Sequence, residues 1–315
     1  MTSTYFISCD WGTTNFRLRV IETATLTVIE ENTSDLGIRD LFDVFKTTSS
    51  ITQFDFFSNH LKKEVLKLPQ KYQNEIIVIA GMASSNIGLK NMPYANFPFS
   101  MDGSNLNSEY LKTSNGLNIV LISGVKNSSG MMRGEEVQAI GLANFLKDLN
   151  EGILLLPGTH SKHISFTNHS FTNLKNFMTG ELFDILSNTS ILSNSVVSTT
   201  WNSEKNQAFK EGIEIGIKHQ LAASLFSVRV KDVLENKDKK DNYYFLSGML
   251  IGNELSYLQH ITTKLFLAAS NPMFDMYKTA LEMIIPKNQL VLLDDSILKN
   301  AFLIGQQKIL LLHDK

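Results

Sequence analysis

One pattern of strands and a turn occurs twice in this sequence, once near the start of each half. A short apolar stretch, a Gly-Thr turn and a strand of alternating polarity follow one another in both places. The turns are Gly12-Thr13 and Gly158-Thr159, which lie 146 residues apart in a chain of 315. Such spacing predicts an internal duplication of a whole domain.

The segments around the two turns alternate between strands and helices. Strands are predicted near 5–10, 16–20, 26–28, 75–80, 118–123, 152–157, 163–166, 264–268 and 289–293. Helices are predicted near 54–68, 135–149, 180–188 and 204–226, from 247 and from 296, with a solvated loop at 235–241. This alternation predicts an α/β fold with covered sheets. The length and the repeat together predict two domains, at 1–150 and 151–315.

Composition excludes several classes of protein. The chain has 29 basic and 31 acidic residues and a net charge of −2, so there is no excess of positive charge for nucleic acid. Cys9 is the single cysteine, which excludes an intrachain disulfide and a zinc site built from several cysteines. No signal peptide and no apolar run long enough to cross a membrane is evident. We therefore expect a cytoplasmic protein that acts on a small molecule.

The turn that begins at Asp10 carries the residues best suited to bind phosphate. Gly12 lets the backbone approach a ligand, Thr13 and Thr14 add hydroxyl donors, and successive N–H groups accept anionic oxygens. Asp10 could hold Mg²⁺, which prefers one or two carboxylates plus phosphate oxygens. The alternative is an ordinary hairpin loop in which Asp10 caps its own backbone. The second turn has Leu156 where the first has Asp10, so only the first half would hold the metal.

Several further segments, taken with the two turns, resemble one family of kinases. They are 10–15, 80–88, 132–136, 156–162, 178–182 and 246–254. In this order they are similar to the 2-dehydro-3-deoxygalactonokinases, within the sugar-kinase and actin superfamily of ATP-binding folds. The sequence departs from the family pattern at Ser84, at Leu89 and over 267–270. The first two departures bear on the sugar pocket more than on the reaction.

The resemblance implies two related ribonuclease H-like, actin-like domains with an ATP cleft between them. The first would bind the sugar acid and the second the adenosine. The implied reaction is transfer of phosphate from ATP to the C6 hydroxyl of 2-dehydro-3-deoxy-D-galactonate. Two alternatives stay open. One is a kinase of another sugar or sugar acid, such as the C4 epimer 2-dehydro-3-deoxy-D-gluconate, and the other is a non-catalytic ATP-binding protein. A homodimer is a further possibility.

A carboxylate should accept the proton of the attacking hydroxyl. Glu135 and Glu136, at a predicted helix start, are the candidates, with Glu135 placed first. Acidic residues there also stabilise a helix through its dipole, so a structural role is the alternative. Arg133 is the candidate clamp for the substrate carboxylate, because arginine binds carboxylates in a bidentate way. Arg17 is a second candidate.

The remaining candidate residues belong to binding segments. Sugar contacts are expected from Asn15, Gly81, Met82, Ser85 and Asn86. Nucleotide contacts are expected from the second turn, Gly158 and Thr159, and from Lys162, Gly248, Ala269 and Ser270. Each has a plainer alternative, namely a helix N-cap at Ser84 or Ser85, an exposed strand position for Lys162, and helix packing for Gly248. The spacing of His160 and His163 without further fixed ligands is poor support for zinc.

Overall fold

A computed structural model describes residues 3–47, 50–202 and 207–313. In the first half the strands are β1 (Tyr5–Trp11), β2 (Phe16–Glu22), β3 (Val28–Ser34), β4 (Ile77–Gly81), β5 (Ala95–Asn96), β6 (Phe99–Ser100), β7 (Ser108–Lys112), β8 (Asn118–Ile122), β9 (Val125–Lys126) and β10 (Met131–Met132). The helices of that half are α1 (Ile38–Thr47), α2 (Gln53–Val65) and α3 (Glu135–Leu146).

The second half repeats the alternation with longer helices. Its strands are β11 (Glu151–Leu156), β12 (Ser161–Thr167), β13 (Ser170–Phe177), β14 (Lys264–Ala268) and β15 (Leu290–Leu293). Its helices are α4 (Thr179–Asn188), α5 (Gln207–Gly216), α6 (Leu221–Ser224), α7 (Ser227–Val233), α8 (Lys239–Leu255), α9 (Met273–Ile284) and α10 (Asp295–Leu312). No helix among the described residues is long and apolar enough to cross a membrane.

Strand order confirms the predicted fold class. One sheet has the order β3-β2-β1-β4-β8-β7, and another has the order β15-β14-β11-β12-β13-β6. If the edge strands β7 and β6 are left out and the other five strands of each sheet are numbered in chain order, both sheets have the order 3-2-1-4-5. In the first sheet β1, β2 and β3 are antiparallel, and β1, β4 and β8 are parallel. The fold is therefore α/β with two related sheets, as the repeat predicted.

The chain forms two compact units, which do not coincide with the two halves of the sequence. The first contains the described residues of 1–150, 166–174 and 296–315, and the second those of 151–165 and 175–295. The last helix, α10, thus belongs to the first unit. Within it, the buried amide of Gln306 donates to the carbonyls of Cys9 and Val78, at 3.2 and 2.8 Å. One side chain of α10 therefore contacts the two strands β1 and β4.

The alternating polarity of residues 16–20 predicts a half-buried strand, and these residues lie in β2. Phe16, Leu18 and Val20 are buried in the core of the first unit, whereas Arg17 is exposed. Cys9 is fully buried in β1, where it is a core residue. Burial of such apolar side chains is the main stabilising contribution to a sheet of this kind.

Several predicted boundaries are wrong for reasons of local backbone geometry. The third strand begins at Val28 rather than at 26, because Leu26 has φ of +59° and belongs to the turn. The helix predicted near 204–226 is divided into α5 and α6, with His219 at φ of +58° where α5 has ended, and α7 follows beyond its predicted end. Residues 204–206 of that prediction lie outside the described residues.

Two helices were not predicted, and one begins earlier than expected. Both α1 and α9 are absent from the prediction. α8 begins at Lys239, inside the predicted loop at 235–241, and not near 247. The side chain of Asp238 caps it by accepting from the N–H of Lys240 at 2.9 Å. This early N-cap was not recognised among the charged residues around it.

Candidate active site

The first Gly-Thr turn lies at the end of β1 and positions Asp10. The N–H of Gly12 donates to the carbonyl of Asn15 at 2.9 Å and closes the turn. Asp10 lies opposite Arg17 in the ladder between β1 and β2. The carboxylate is thus carried by a paired strand, while the residues after it form the turn.

The start of α1 supports this turn from outside. Ile38 N–H donates to the carbonyl of Gly12 at 3.0 Å, and Arg39 N–H donates to that of Thr13 at 3.1 Å. A Cβ at Gly37 would lie 2.2 Å from the Thr13 carbonyl oxygen, so a larger residue would push the turn away. Gly37 was not predicted, because it lies 24 residues after the turn it contacts.

Asp10 is electrostatically coupled to a second carboxylate. Burial is the largest influence on the pKa of Asp10 and raises it, the charges of Arg17 and Arg19 lower it, and the charge of Glu135 raises it further. The start of α3 lies beside this strand end, because a Cβ at Gly134 would lie 3.5 Å from the Cα of Gly81, which pairs with Trp11 in the ladder between β1 and β4. A cation bound at Asp10 would offset the cost of the two negative charges.

A polar pocket of about 450 Å³ opens beside the first turn. It is lined by Asp10, Gly12, Asn15, Phe16, Arg17, Thr33, Ser34 and Asp35. The predicted residues Asp10, Gly12 and Asn15 are therefore brought together here, with Arg17 beside them. Thr33, Ser34 and Asp35 were missed, because the third strand was predicted to lie nearer the start of the chain.

The start of α3 places the two candidate bases in different environments. Glu136 is fully buried, and both of its carboxylate oxygens accept from the N–H of Gly134 at 2.8 Å. Glu135 is partly exposed, and its Oε2 accepts from the N–H of Arg133 at 3.1 Å. Burial, followed by the charge of Glu135, raises the pKa of Glu136 to about 8. Of the two carboxylates, Glu135 is the one that solvent reaches.

Arg133 is held by two side chains that sequence analysis did not assign to the site. Its guanidinium lies over the ring of Tyr94, 4.2 Å from the centroid, and its Nε donates to the Tyr94 hydroxyl at 3.3 Å. Its Nη1 donates to the Oγ of Ser84. Stacking and hydrogen bonds fix the plane of the guanidinium group, and bidentate binding of a carboxylate depends on that plane.

The segment after β4 is a turn of 3₁₀ helix, Met82–Ser84, and no α-helix begins there. Gly81 has φ of +97°, and a Cβ there would lie 2.7 Å from the Trp11 carbonyl, so this glycine is required by packing. The hydroxyl of Ser85 is buried and donates to the carbonyl of Met82 at 2.7 Å. Asn86 is exposed. Ser84 reaches Arg133, whereas the sequence indicates it only as a departure from the family pattern and as a possible helix N-cap.

The second Gly-Thr turn is supported in the same way as the first. The N–H of Glu181, in α4, donates to the carbonyl of Thr159 at 3.1 Å. A Cβ at Gly180 would lie 2.7 Å from the Cα of Thr159, so the helix start contacts the turn backbone directly. His160 Nε2 and Glu181 Oε2 are 2.5 Å apart. A Cβ at Gly158 would meet no protein atom within 4 Å, so the backbone there is open.

Lys162 follows the second turn as the second residue of β12. It is 5% exposed, and its Nζ donates to the carbonyl of His160 at 2.5 Å. It is therefore a buried side chain that folds back to the turn, not the exposed strand residue of the plainer interpretation.

A second and larger pocket, of about 670 Å³, lies within the second unit. Its walls are mostly apolar and aromatic, and they include Thr199, Trp201, Tyr243, Tyr244, Ser247, Asn271, Pro272 and Met273. Flat rings beside a few polar groups suit a planar heteroaromatic ligand. The start of α4, with Thr179 and Gly180, also lines it. None of these lining residues was predicted, because they come from four distant segments.

The three residues expected at the nucleoside do not line this pocket. Gly248 lies inside α8, where a Cβ would be 2.1 Å from the carbonyl oxygen of Phe209, so it is a packing glycine between α5 and α8. Ala269 is buried in the core of the second unit. Ser270 is exposed, and its hydroxyl donates to Asp295. Asn271 and Pro272, which follow Ser270, contribute to the pocket instead.

Comparison with known proteins matches the chain to one family over residues 10–302. That family is described as 2-keto-3-deoxy-galactonokinase. The chain belongs to this family. It is 30% identical to the 2-dehydro-3-deoxygalactonokinase of Escherichia coli (strain K12) over 268 residues, 82% of each chain. It is 28% identical, over 89% of its length and 90% of the other's, to a Rhizobium meliloti (strain 1021) protein provisionally given the same name.

The fold agrees with a solved structure of a 2-keto-3-deoxy-galactonokinase relative. A crystal structure of a Sinorhizobium meliloti protein, provisionally named 2-dehydro-3-deoxygalactonokinase, superposes with a TM-score of 0.78. The two are 26% identical, and the match covers 96% of this chain and 94% of the other. As a member of this family the chain is a kinase, which is a phosphotransferase that uses ATP.

The residues of the two turns fit the groups that a kinase of this family uses. Among the residues that the structure describes, no group of three or more His, Cys, Asp or Glu side chains could hold a metal ion. A Mg²⁺ at Asp10 would therefore need phosphate oxygens and water for the rest of its shell, which is its usual arrangement with nucleotides. The open backbone at Gly158 leaves room that a Cβ would fill.

Proposed function

We propose that this protein phosphorylates the C6 hydroxyl of 2-dehydro-3-deoxy-D-galactonate with MgATP. Family membership supports the reaction and the class of substrate. The observation that carries the proposal within the molecule is the position of Glu135 at the start of α3. A Cβ at the preceding Gly134 would lie 3.5 Å from the Cα of Gly81, at the end of the strand that pairs with β1 beside Asp10. A partly exposed carboxylate, suited to accept a proton, thus lies near the strand end that carries a carboxylate suited to a metal.

Each role follows from the environment of the residue. Glu135 accepts the proton of the attacking hydroxyl, because it is partly exposed and near Asp10. Asp10 is the ligand for Mg²⁺, which neutralises charge on the phosphates when bound. Glu136, buried and bonded to the N–H of Gly134, shapes the helix start and does not contact the substrate.

The substrate carboxylate is proposed to bind Arg133. Its guanidinium is already fixed by Tyr94 and Ser84, so little side-chain entropy is lost when a carboxylate binds. Asn15 and the turn after β4 contribute polar groups on the same unit. Because Ser84 touches Arg133, the departure from the family pattern at Ser84 bears on which sugar acid fits, and the C4 epimer stays a candidate.

The nucleotide is proposed to use the second unit for its phosphates and base. Gly158 and Thr159 provide open backbone, and the aromatic pocket beside Trp201 and Tyr244 takes the base. The ATP cleft expected between the halves, the cytoplasmic location and the homodimer stay predictions.

Release of ADP with a panel of acceptors tests the proposal. The panel contains 2-dehydro-3-deoxy-D-galactonate, its C4 epimer, a neutral hexose and no acceptor. We expect the galactonate derivative to give the highest kcat/KM and the sample without acceptor to give little ADP. Stimulation by the neutral sugar alone would contradict the sugar-acid assignment, and ADP release unaffected by any acceptor would contradict the kinase reaction.

Arg133→Ala tests the carboxylate clamp. A lost hydrogen bond to a charged group corresponds to about 1.5–3 kcal/mol, so KM for the sugar acid should rise at least about tenfold while KM for ATP stays within about twofold. Arg133→Lys should recover little of this loss, because an ammonium cannot form the planar fork. Arg229→Ala, on α7, is the matched control. An equal rise in both KM values would mean that Arg133 has a structural role instead.

A further inference from the structure

Six polar side chains meet in the buried interior of the second unit. We call them the Glu254 cluster, and its members are Ser161, His163, Thr179, Glu254, Tyr257 and Tyr277. They come from β12, α4, α8, α9 and the short helical turn that follows α8. Thr179 also lines the larger pocket described above, and the other five have no role in the proposed reaction.

Glu254 is the centre of this cluster and is 1% exposed. Its Oε1 lies 2.8 Å from Nε2 of His163, which is itself 2% exposed. Its Oε2 accepts from the Tyr277 hydroxyl at 2.8 Å and from the hydroxyl of Thr179. A buried carboxylate is costly unless it is hydrogen-bonded, and here both oxygens are occupied.

The cluster extends beyond Glu254 on two sides. The Tyr257 hydroxyl lies 2.8 Å from Nδ1 of His163, and the Ser161 hydroxyl lies 3.0 Å from that of Tyr277. Burial, and then the charge of Glu254, raise the pKa of both tyrosines, so they stay hydroxyl donors at neutral pH. Connected networks of this kind are rigid, because each group has a defined partner.

Thr179 connects the cluster to the second Gly-Thr turn. It is the first residue of α4 and is 7% exposed. The next residue, Gly180, lies against the backbone of Thr159, and Glu181 N–H donates to the Thr159 carbonyl at 3.1 Å. A displacement of Thr179 would therefore move the next two residues, Gly180 and Glu181, and through them the turn.

The position of Thr179 distinguishes this cluster from ordinary buried hydrogen bonding. Asn242, also in α8, is 1% exposed and donates to the carbonyls of Ser195 and Val228, at 3.1 Å each. The amide of Asn242 therefore connects α8 to Ser195 and to α7. Glu254 instead binds the residue directly before the one that packs on Thr159.

We infer that Glu254 is a positioning residue for the nucleotide phosphates, holding the start of α4 against the Gly158-Thr159 turn through the hydroxyl of Thr179. This inference rests on the proposed function, in which that turn binds phosphate. The hydroxyl fixes where α4 begins, and α4 fixes the carbonyl of Thr159. The N–H groups of the turn then keep the orientation that the phosphate oxygens require.

Thr179→Val tests the inference with the least change of shape. Valine keeps the volume and removes the hydroxyl, while Tyr277 and His163 still contact Glu254. We expect KM for ATP to rise about tenfold, as for one buried hydrogen bond to a charged group, with KM for the sugar acid changed less than about twofold. Thr179→Ser restores the hydroxyl and should return KM for ATP to within about threefold of wild type.

Asn242→Ala is the matched control for stability. It removes a buried, hydrogen-bonded amide from α8, the helix that carries Glu254. It should therefore lower the melting temperature without raising KM for ATP. If Thr179→Val lowers the melting temperature as Asn242→Ala does but leaves KM for ATP unchanged, the inference is wrong. The same conclusion follows if Thr179→Ser fails to restore ATP binding.

Gly158→Ala separates this inference from the proposed function. If Gly158→Ala and Thr179→Val both raise KM for ATP, both proposals are supported. If Gly158→Ala raises it and Thr179→Val does not, only the role of the Glu254 cluster fails. If Gly158→Ala has no effect, the turn does not bind the nucleotide, and the proposed function has to place the phosphates elsewhere.

Discussion

The two Gly-Thr turns have the same support but different chemistry. In each, the start of a helix donates a backbone N–H to the carbonyl of the turn threonine, Thr13 or Thr159. In each, a glycine next to that helix start lies against the turn backbone. At the strand end, however, the first turn has Asp10 and the second has the buried Leu156.

This difference shows which part of a duplicated unit was kept. The backbone support recurs because any loop that presents N–H groups needs a fixed shape. The carboxylate does not recur. If Mg²⁺ binds at Asp10 as proposed, one or two protein carboxylates are enough for it, so a second acid at the position of Leu156 is not required.

Removing the acid from the first turn should have the largest effect. Asp10→Asn is expected to lower kcat by about 10³-fold, since it removes the proposed metal ligand from the reaction. Thermal stability should not fall, because burial raises the pKa of Asp10 and the fold does not favour its charge. The measurement is kcat at saturating ATP over a range of Mg²⁺ concentrations. Asp43→Asn, an exposed acid on α1, is the control, and comparable activity of the two variants would remove Asp10 from the mechanism.

Replacing each of the two glutamates at the start of α3 in turn should distinguish the catalytic carboxylate from the structural one. Glu135→Gln is expected to lower kcat by about a hundredfold, because a general base contributes at least that much. Glu136→Gln should keep kcat within about threefold at pH 7, since a carboxyl with a pKa of about 8 is already mostly protonated there. The opposite result would make Glu136 the base.

The same pair predicts how stability depends on pH. The pKa of Glu136 is about 8 in the folded protein, above its ordinary value of 4.5. The folded chain therefore binds this proton more tightly, and the contribution of Glu136 to stability is lost as the pH rises from 4.5 toward 8. Glu136→Gln should remove this loss. Unfolding by denaturant at pH 5 and pH 8 measures it, and equal pH dependence in both proteins would contradict the assignment.

Adding one methyl group to the second turn should give the smallest effect. The Cβ added by Gly158→Ala would have no protein atom within 4 Å, so the melting temperature should change by less than about 2 °C. KM for ATP should rise about tenfold, because the methyl group occupies space needed by the phosphates. Gly12→Ala is the counterpart in the first turn, where the new Cβ would lie 3.4 Å from the Asn15 carbonyl. An unchanged KM in both variants would mean that neither turn approaches the nucleotide.

Local patterns were sufficient to predict most of the longer strands and both turns, whereas β5, β6, β7, β9 and β10 were not predicted. β1, β4, β8 and β14 have continuous apolar runs, and the Gly-Thr repeat indicated their duplicated arrangement. Asp10, Gly12 and Asn15 line one pocket because they lie within one turn, so their proximity follows from the sequence alone.

Contacts between distant segments could not be predicted in this way. Tyr94 and Ser84 lie 39 and 49 residues before Arg133, and nothing in their local sequence indicates that they hold it. Gly248 shows the converse error. A glycine in a family motif suggested a ligand, but its Cα packs against the neighbouring helix α5. Local sequence shows that a glycine is needed, but not what approaches it.

The membership of α10 in the first unit has a consequence for how the chain folds during synthesis. Gln306 binds the carbonyls of Cys9 and Val78, so residues from both ends of the chain complete one interior. The strand that carries Asp10 must wait for the last helix to leave the ribosome before its interior is closed. The second unit, contained within 151–295, has all of its residues available earlier. A chain that has been synthesised only as far as residue 295 could therefore complete the second unit while the unit that carries Asp10 remained unfinished.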